Sequence, residues 1–205
     1  MSEAVQDFAS KYTRANWIAP RLLEGYFSCL SELTGPLAVR SVLEVGCGEG
    51  FSTRRLRAML PASVSLRAGD LDDRLVAAAA RANPDVPVRR ESVYQLPHAG
   101  GAFDLVFCLE VLEHMDDPAA ALSELCRVCR RYLVLSVPRE PLWRVLNMAR
   151  LKYLSRLGAT PGHIQSWSRG GFVRWAGRSC RVLDVRNPVP FTIVLAEANH
   201  PKDRP

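Results

Sequence analysis

No stretch of this chain approaches the length of a membrane-spanning helix, and Met1-Ser2-Glu3-Ala4 lacks the basic-then-apolar opening of a secretory signal. A cytoplasmic location is therefore expected. Lysine is nearly missing: of 27 basic residues only Lys11, Lys152 and Lys202 are lysine. The net charge of +6 is thus an arginine charge, which gene base composition explains as readily as an anionic partner does. There is no internal repeat, and no low-complexity tract beyond the helix-favouring run Ala77 to Ala80, so repeat and fibrous architectures are excluded. Cysteine is sparse: Cys29, Cys47, Cys108, Cys126, Cys129 and Cys180 are scattered, and most fall on expected core elements, where cysteine acts as a small hydrophobe. Cys126-x-x-Cys129 has redox or zinc spacing, but no second pair accompanies it. It is expected to be two residues of one helix, 119–130.

What is present is ordinary globular material. With 205 residues, 48% hydrophobic and 23% charged, the chain suffices for one α/β domain and a small accessory segment. Residues 3–33 read as helical, divided at Pro20 and ended by Gly35-Pro36. Strand and helix patterns then alternate: strand 39–45, helix 50–60, strand 63–69, helix 72–82, strand 86–91, strand 103–109, helix 117–130, strand 131–137. A helical stretch to about Leu157, a polar loop 158–168 and a short helix near 169–178 follow. Two last strands, 180–186 and 190–196, turn at Pro188 and Pro190, and 198–205 read as a polar tail. Alternation of this kind predicts a mostly parallel sheet with helices on both faces.

The densest signal is Val42-Leu43-Glu44-Val45-Gly46-Cys47-Gly48-Glu49-Gly50, followed by Gly69-Asp70. A strand runs into a glycine-rich turn and a helix, and a second strand ends on a carboxylate that can accept from two ribose hydroxyls. This is how a Rossmann-type sheet holds a nucleoside-containing cofactor. The spacing is G-x-G-x-G rather than the dinucleotide G-x-G-x-x-G. Glu44 and Glu49 would repel a pyrophosphate, which disfavours an NAD-dependent oxidoreductase. They suit a cofactor with positive charge and no phosphate, such as S-adenosylmethionine with its ammonium and sulfonium groups.

These motifs resemble the class I S-adenosylmethionine-dependent methyltransferases, and among them the group containing the ubiquinone and menaquinone methyltransferases. The match runs from Val42 to about Pro138. It implies a Rossmann-like sheet of seven strands, mostly parallel, closed by an antiparallel hairpin. It also implies a helical N-terminal lid over 1–34, a cofactor domain over 35–205, and an insertion at 139–178 over the acceptor site. Glu44, Gly46, Gly48 and Gly50 fall where the family holds the methionine moiety, and Asp70 where it binds the ribose. Ser92-Val93 fall where it covers the adenine, with serine in place of the frequent aspartate. Cys47, Leu71 and Leu109 complete the implied cofactor set.

All these positions lie at carboxyl ends of expected strands, where open parallel sheets bind ligands. Methyl transfer from a sulfonium is an in-line displacement, and an oxygen acceptor needs a base or a metal to remove its proton. Glu110-x-x-Glu113-His114 supplies candidates: at i and i+3 the two carboxylates share a face if the loop curls into a helical turn. Oxygen and imidazole ligands suit Mg²⁺, Mn²⁺ or Fe²⁺. The string resembles the Glu-x-x-Glu-His metal motif of ubiquinone-pathway O-methyltransferases and of small-RNA 2′-O-methyltransferases. In the latter a further histidine precedes a tryptophan by four residues, as His163 precedes Trp167 here. Metal-free relatives instead use the Glu113-His114 positions to tether backbone and to orient or deprotonate the acceptor. Both alternatives stay open: His114 and Glu113 as catalytic residues, or Glu110, Glu113, His114 and His163 as a Mg²⁺ or Mn²⁺ site. His98 and His200 sit in turn and tail contexts and need no function.

The expected activity is methyl transfer to a small-molecule acceptor, most readily a hydroxyl oxygen. Rivals are a methyltransferase acting on an RNA terminus or a carrier-bound or lipid substrate, and a catalytically silent cofactor binder. Nucleic acid is disfavoured, because 205 residues leave no room for a separate RNA-binding domain. The apolar segment 139–157 carries Arg139, Arg144, Arg150, Lys152 and Arg156. It reads as a lid over the acceptor, or else as a basic amphipathic contact to a membrane surface or an anionic carrier.

Overall fold

A computed structural model describes residues 18–149, 153, 157–158 and 160–199. Seven strands form one sheet: β1 (Ser41–Val45), β2 (Ser65–Asp70), β3 (Val88–Arg90), β4 (Phe103–Leu109), β5 (Cys129–Pro138), β6 (Cys180–Arg186) and β7 (Phe191–Ala198). The six α-helices among the described residues are α1 (Ile18–Thr34), α2 (Phe51–Met59), α3 (Asp73–Ala82), α4 (Pro118–Val128), α5 (Leu142–Ala149) and α6 (Arg169–Ala176). The strand order is β3-β2-β1-β4-β5-β7-β6. β1 pairs in parallel with β2 and β4, β2 with β3, and β4 with β5, whereas β7 runs antiparallel between β5 and β6. The seven-stranded, mostly parallel sheet expected from the sequence is the one observed.

Why the central strands read as near-continuous apolar runs is plain from their burial. Successive side chains point to opposite faces, and both faces are covered. Val42, Leu105 and Phe107 enter one core with Leu23, Phe27 and Leu30 of α1 and Leu56 of α2. Leu43, Val106 and Cys108 enter the other with Leu122 and Leu125 of α4 and Phe172 of α6. Leu23, Phe27, Leu30 and Thr34 mark the helical period that keeps α1 on the sheet. Fully burying Leu30 contributes roughly 1.5–3 kcal/mol, so Leu30→Ala is expected to detach this wall.

Local signals set the helix starts. Asp72 caps α3 by accepting from Arg74 N–H, and Asp117 caps α4 by accepting from the Ala119 and Ala120 N–H groups, with Pro118 as the first helical residue. Pro20 lies in the first turn of α1, where a missing N–H costs nothing. The stretch expected before it, 1–17, lies outside the described residues. Most boundaries shift by a few residues from the sequence expectation, and two segments bear on the argument. Cys129 opens β5 rather than continuing the helix, because its N–H ends α4 on the Leu125 carbonyl and its backbone turns extended. The helix expected up to Leu157 is described only over Leu142–Ala149, and most of the remainder lies outside the described residues. None of the described helices is long and apolar enough to cross a membrane.

Candidate active site

At the carboxyl end of β1 the chain turns through Gly46, Gly48 and Gly50, all in the left-handed region. Two of these glycines are required by close packing. A Cβ on Gly46 would lie 2.3 Å from Val111 Cγ2, and one on Gly50 would lie 2.9 Å from the Ala79 backbone of α3. Gly48 N–H donates to Asp70 Oδ2 at 2.9 Å, and Asp72 N–H donates to Asp70 Oδ1 at 3.1 Å. The Asp70 carboxylate therefore joins the glycine turn to the end of β2.

This turn forms part of the wall of a cavity of about 660 Å³, a size suited to a small-molecule site. Of the residues expected to hold a cofactor, Gly46, Cys47, Gly48, Asp70, Leu71, Ser92, Val93 and Leu109 line it. Glu44 and Gly50 are not in its wall. Gly50 packs on α3. Glu44 is buried beneath the turn, where its Oε2 accepts from Thr53 Oγ1 at 2.6 Å. Its Oε1 lacks a partner of hydrogen-bond geometry among the described residues. Burial pushes the Glu44 carboxyl up to about 7, against the pull of the Ser52 and Thr53 hydroxyls and with a further push from Asp70.

A second part of the cavity wall begins where β4 stops. Glu110 takes a left-handed backbone (φ 58°), and a 3₁₀ turn, Leu112–His114, follows. Glu113 is buried at 2% exposure. The loop after α5 folds back over it: Ile164 and Gln165 both donate backbone N–H to the Glu113 carbonyl, at 2.9 and 3.0 Å. That crossing brings His163 to a residue fifty positions earlier. The ligand atoms of Glu113, His114 and His163 all lie within 4.8 Å of one another. His114 Nδ1 sits 2.8 Å from the Gly162 carbonyl and must donate to it, which leaves Nε2 to accept a proton or a ligand. His163 lies stacked near Trp143, whose indole N–H donates to Thr160 Oγ1.

Glu110 lines the cavity but stands outside that trio. Its Oε1 accepts from Ser136 Oγ at 2.9 Å, and Ser136 Oγ lies 2.7 Å from Tyr26 Oη. Since the carboxylate can only accept, Ser136 donates to Glu110 and Tyr26 donates to Ser136. Burial and the nearby Glu110 charge hold the Tyr26 phenol well above its ordinary pKa, which keeps it a donor.

Several wall residues are not singled out as site residues by the sequence, although Tyr26, Phe27 and Trp143 lie on segments expected to cover the site. Tyr26, Phe27, Phe51 and Trp143 supply aromatic faces, and Glu91 supplies a carboxylate at 6% exposure. Glu91 is bonded by His98 Nε2 through both oxygens, at 3.0 and 3.1 Å. His98, expected as an idle turn residue, is thus the buried partner of a cavity carboxylate. Trp167 lies away from the cavity, packed on Phe172 and Trp175, and His200 is outside the described residues.

Residues 43–134 match the family model described as a methyltransferase domain. A ubiquinone biosynthesis O-methyltransferase of Psychrobacter cryohalolentis is 31% identical over 170 residues, which is 68% of this chain and 63% of that protein. One from Psychrobacter arcticus is 29% identical over 187 residues, 78% of this chain and 70% of that protein. The chain spans 63% of the first of these relatives and 35% of an S-adenosylmethionine-dependent methyltransferase of Mycolicibacterium smegmatis, with which it is 40% identical over 93 residues. In fold, it superposes on an S-adenosylmethionine-dependent methyltransferase from Aquifex aeolicus with a TM-score of 0.69 at 21% identity, covering 95% of this chain and 100% of that one. It also superposes on magnesium protoporphyrin IX methyltransferase from Synechocystis, solved with bound S-adenosylhomocysteine, with a TM-score of 0.64 at 18% identity, covering 91% and 89%. At such identities the structures speak to fold alone. Sheet order, cavity position and sequence match agree: residues 43–134 form a methyltransferase domain of the class I S-adenosylmethionine-dependent type, and the ubiquinone biosynthesis O-methyltransferases are among the chain's distant homologues.

Proposed function

We propose that the chain transfers the methyl group of S-adenosylmethionine to a hydroxyl oxygen of a small, neutral, flat acceptor. The observation that carries this reading is one cavity whose wall holds two chemically different groups. Asp70 and the glycine turn form one, and Glu113, His114 and His163 converge in the other. The cofactor supplies an electrophilic methyl on a sulfonium. Among the described lining residues there are six carboxylates (Glu49, Asp70, Asp72, Glu91, Glu110 and Glu113) and neither lysine nor arginine. Such a wall favours a cationic donor and disfavours a phosphate-bearing acceptor such as an RNA terminus. Tyr26, Phe27, Phe51 and Trp143 suit a ring.

His114 is the residue proposed to take the acceptor's proton, at Nε2. The Gly162 carbonyl fixes its tautomer, and the Glu113 carboxylate, 4.0 Å away, favours the imidazolium that forms. A second reading rests on the closeness of the trio. One carboxylate and two imidazoles fit a single divalent ion, Mn²⁺ better than Mg²⁺. Glu113, His114 and His163 would hold it, and it would lower the pKa of the acceptor hydroxyl. Glu110 would join only by giving up the Ser136 hydroxyl.

The test is transfer of labelled methyl from S-adenosylmethionine to a panel of small phenols and catechols, with and without EDTA. Transfer that survives EDTA supports the base, and transfer that needs Mn²⁺ supports the ion. S-adenosylhomocysteine binding without transfer to any acceptor would favour a binder without turnover.

A further inference from the structure

At the pole of the sheet opposite the cavity, two cysteines from distant parts of the chain meet. Cys126 Sγ in α4 lies 3.3 Å from Cys180 Sγ at the start of β6. Both sit on ordered backbone. The end of α4 is closed by Cys129 N–H on the Leu125 carbonyl, and the chain enters β6 through tight turns off α6, with Arg178 and Ser179 donating to Trp175 and Ala176. The contact is therefore set by packed elements. Cys126 is half-buried and reachable from solvent, whereas Cys180 is buried behind it.

The other four thiols differ. Cys108 is fully buried, Cys47 sits in the cavity wall, and Cys129 donates to the Tyr132 carbonyl, with burial holding its thiol up at about 12. Cys29 is half-buried as Cys126 is, but burial and the Glu32 charge raise its thiol. Cys126 is lowered from its ordinary value by the hydrogen bond it shares with Cys180, which outweighs its burial, and Cys180 is raised by the same bond and by burial. Thiolate character plus access is what selects a cysteine for oxidation.

We propose that Cys126 and Cys180 form an oxidation site, a thiol pair that a peroxide converts into a disulfide joining α4 to β6. The Cys126 thiolate attacks one peroxide oxygen, the O–O bond breaks, and one water leaves with Cys126 as the sulfenic acid. Cys180 then attacks that sulfur, an S–S bond replaces the S–O bond, and a second water leaves. Two thiol protons and two electrons reduce one hydrogen peroxide to two waters, so the step balances. The sulfurs must close from 3.3 Å to about 2.05 Å. An S–H···S contact is weak enough to yield to this. The bond would close a loop containing β5, α5, His163 and α6, and so tie together the ends of the segment that builds the acceptor side.

The test is to treat the full chain with hydrogen peroxide and count thiols after denaturation, with peptide mapping under non-reducing conditions. The expected result is a fall from six free thiols to four, a Cys126–Cys180 linked peptide, and recovery of all thiols with dithiothreitol. Cys180→Ser should accumulate sulfenic acid on Cys126 instead. If that variant fails to fold, Cys126→Ser should leave Cys180 unoxidised at the same peroxide dose. Six thiols retained, or pairing through Cys129, or peroxide reacting first at Cys47, would overturn the proposal.

Discussion

Tyr26 and Ser136, 110 residues apart in sequence, share a 2.7 Å hydroxyl–hydroxyl hydrogen bond, and Ser136 in turn donates a hydrogen bond to Glu110. A helix at one edge of the cavity thereby holds a carboxylate whose backbone is in a disfavoured left-handed conformation. Tyr26→Phe keeps the ring and removes the chain's first donor. The expected outcome is a stability loss of about 1 kcal/mol, with S-adenosylhomocysteine affinity and kcat each within about twofold, because Glu110 stands outside the Glu113, His114 and His163 trio. Thermal melts, calorimetry and turnover with the best acceptor of the phenol panel measure the three. A kcat lowered roughly tenfold or more would bring Glu110 into the chemistry.

Glu44 makes both stability and cofactor affinity depend on pH. Its folded pKa of about 7 lies above the usual 4.5, so between those values the folded state holds a proton that the unfolded state has lost. Stability from this group is complete below about pH 4.5 and declines as pH rises towards 7, by on the order of 3 kcal/mol. Glu44→Gln should flatten that slope. A cationic cofactor above the turn favours the ionised carboxyl, so affinity for S-adenosylmethionine should rise through pH 7 with release of a proton. Calorimetry in buffers of differing ionisation enthalpy reads that proton directly. Binding without proton release would mean that Glu44 stays neutral beneath the cofactor.

Asp70 is expected to have two duties. Its two oxygens hold Gly48 N–H and Asp72 N–H, and the residue lines the cavity, where the proposed function has it meet the cofactor. Asp70→Ala should weaken S-adenosylhomocysteine binding roughly 10–100-fold, the worth of charge-assisted hydrogen bonds to a ligand. Asp70→Asn should fall between, since its carbonyl keeps one backbone partner. Circular dichroism should show the sheet retained in both. Affinity equal to wild type in Asp70→Ala would remove this residue from the cofactor site.

The sheet was legible because both of its faces are buried, so β1 and β4 had to be continuous apolar runs, with helical periods between them. The glycine turn and Asp70 were legible because they are local. What escaped was tertiary. No pattern in α1 says that Tyr26 will reach Ser136, and nothing around Glu91 says that His98 will bury itself against it. Gly50 matches a cofactor motif, and its packing against Ala79 is a second demand that the sequence does not show. Cys126 and Cys129 read as two residues of one helix, whereas folding puts Cys129 at the start of β5 and sets Cys126 against Cys180.

His114 and His163 divide the two readings of the chemistry. If His114 Nε2 takes the proton directly, methyl transfer persists in EDTA and is lost in His114→Ala by roughly 100-fold or more, with S-adenosylhomocysteine affinity kept. His163→Ala should then cost little beyond acceptor affinity, because this ring packs beside His114 and Trp143 without needing to move a proton. Glu110→Ala is the control for the ion, since its carboxylate is bound by Ser136 and lies outside the trio. The expected pattern is EDTA-insensitive turnover, with His114→Ala far more damaging than His163→Ala. Turnover stimulated by Mn²⁺ and abolished equally by His114→Ala and His163→Ala, but only weakened by Glu110→Ala, would transfer the role from the imidazole to a bound ion.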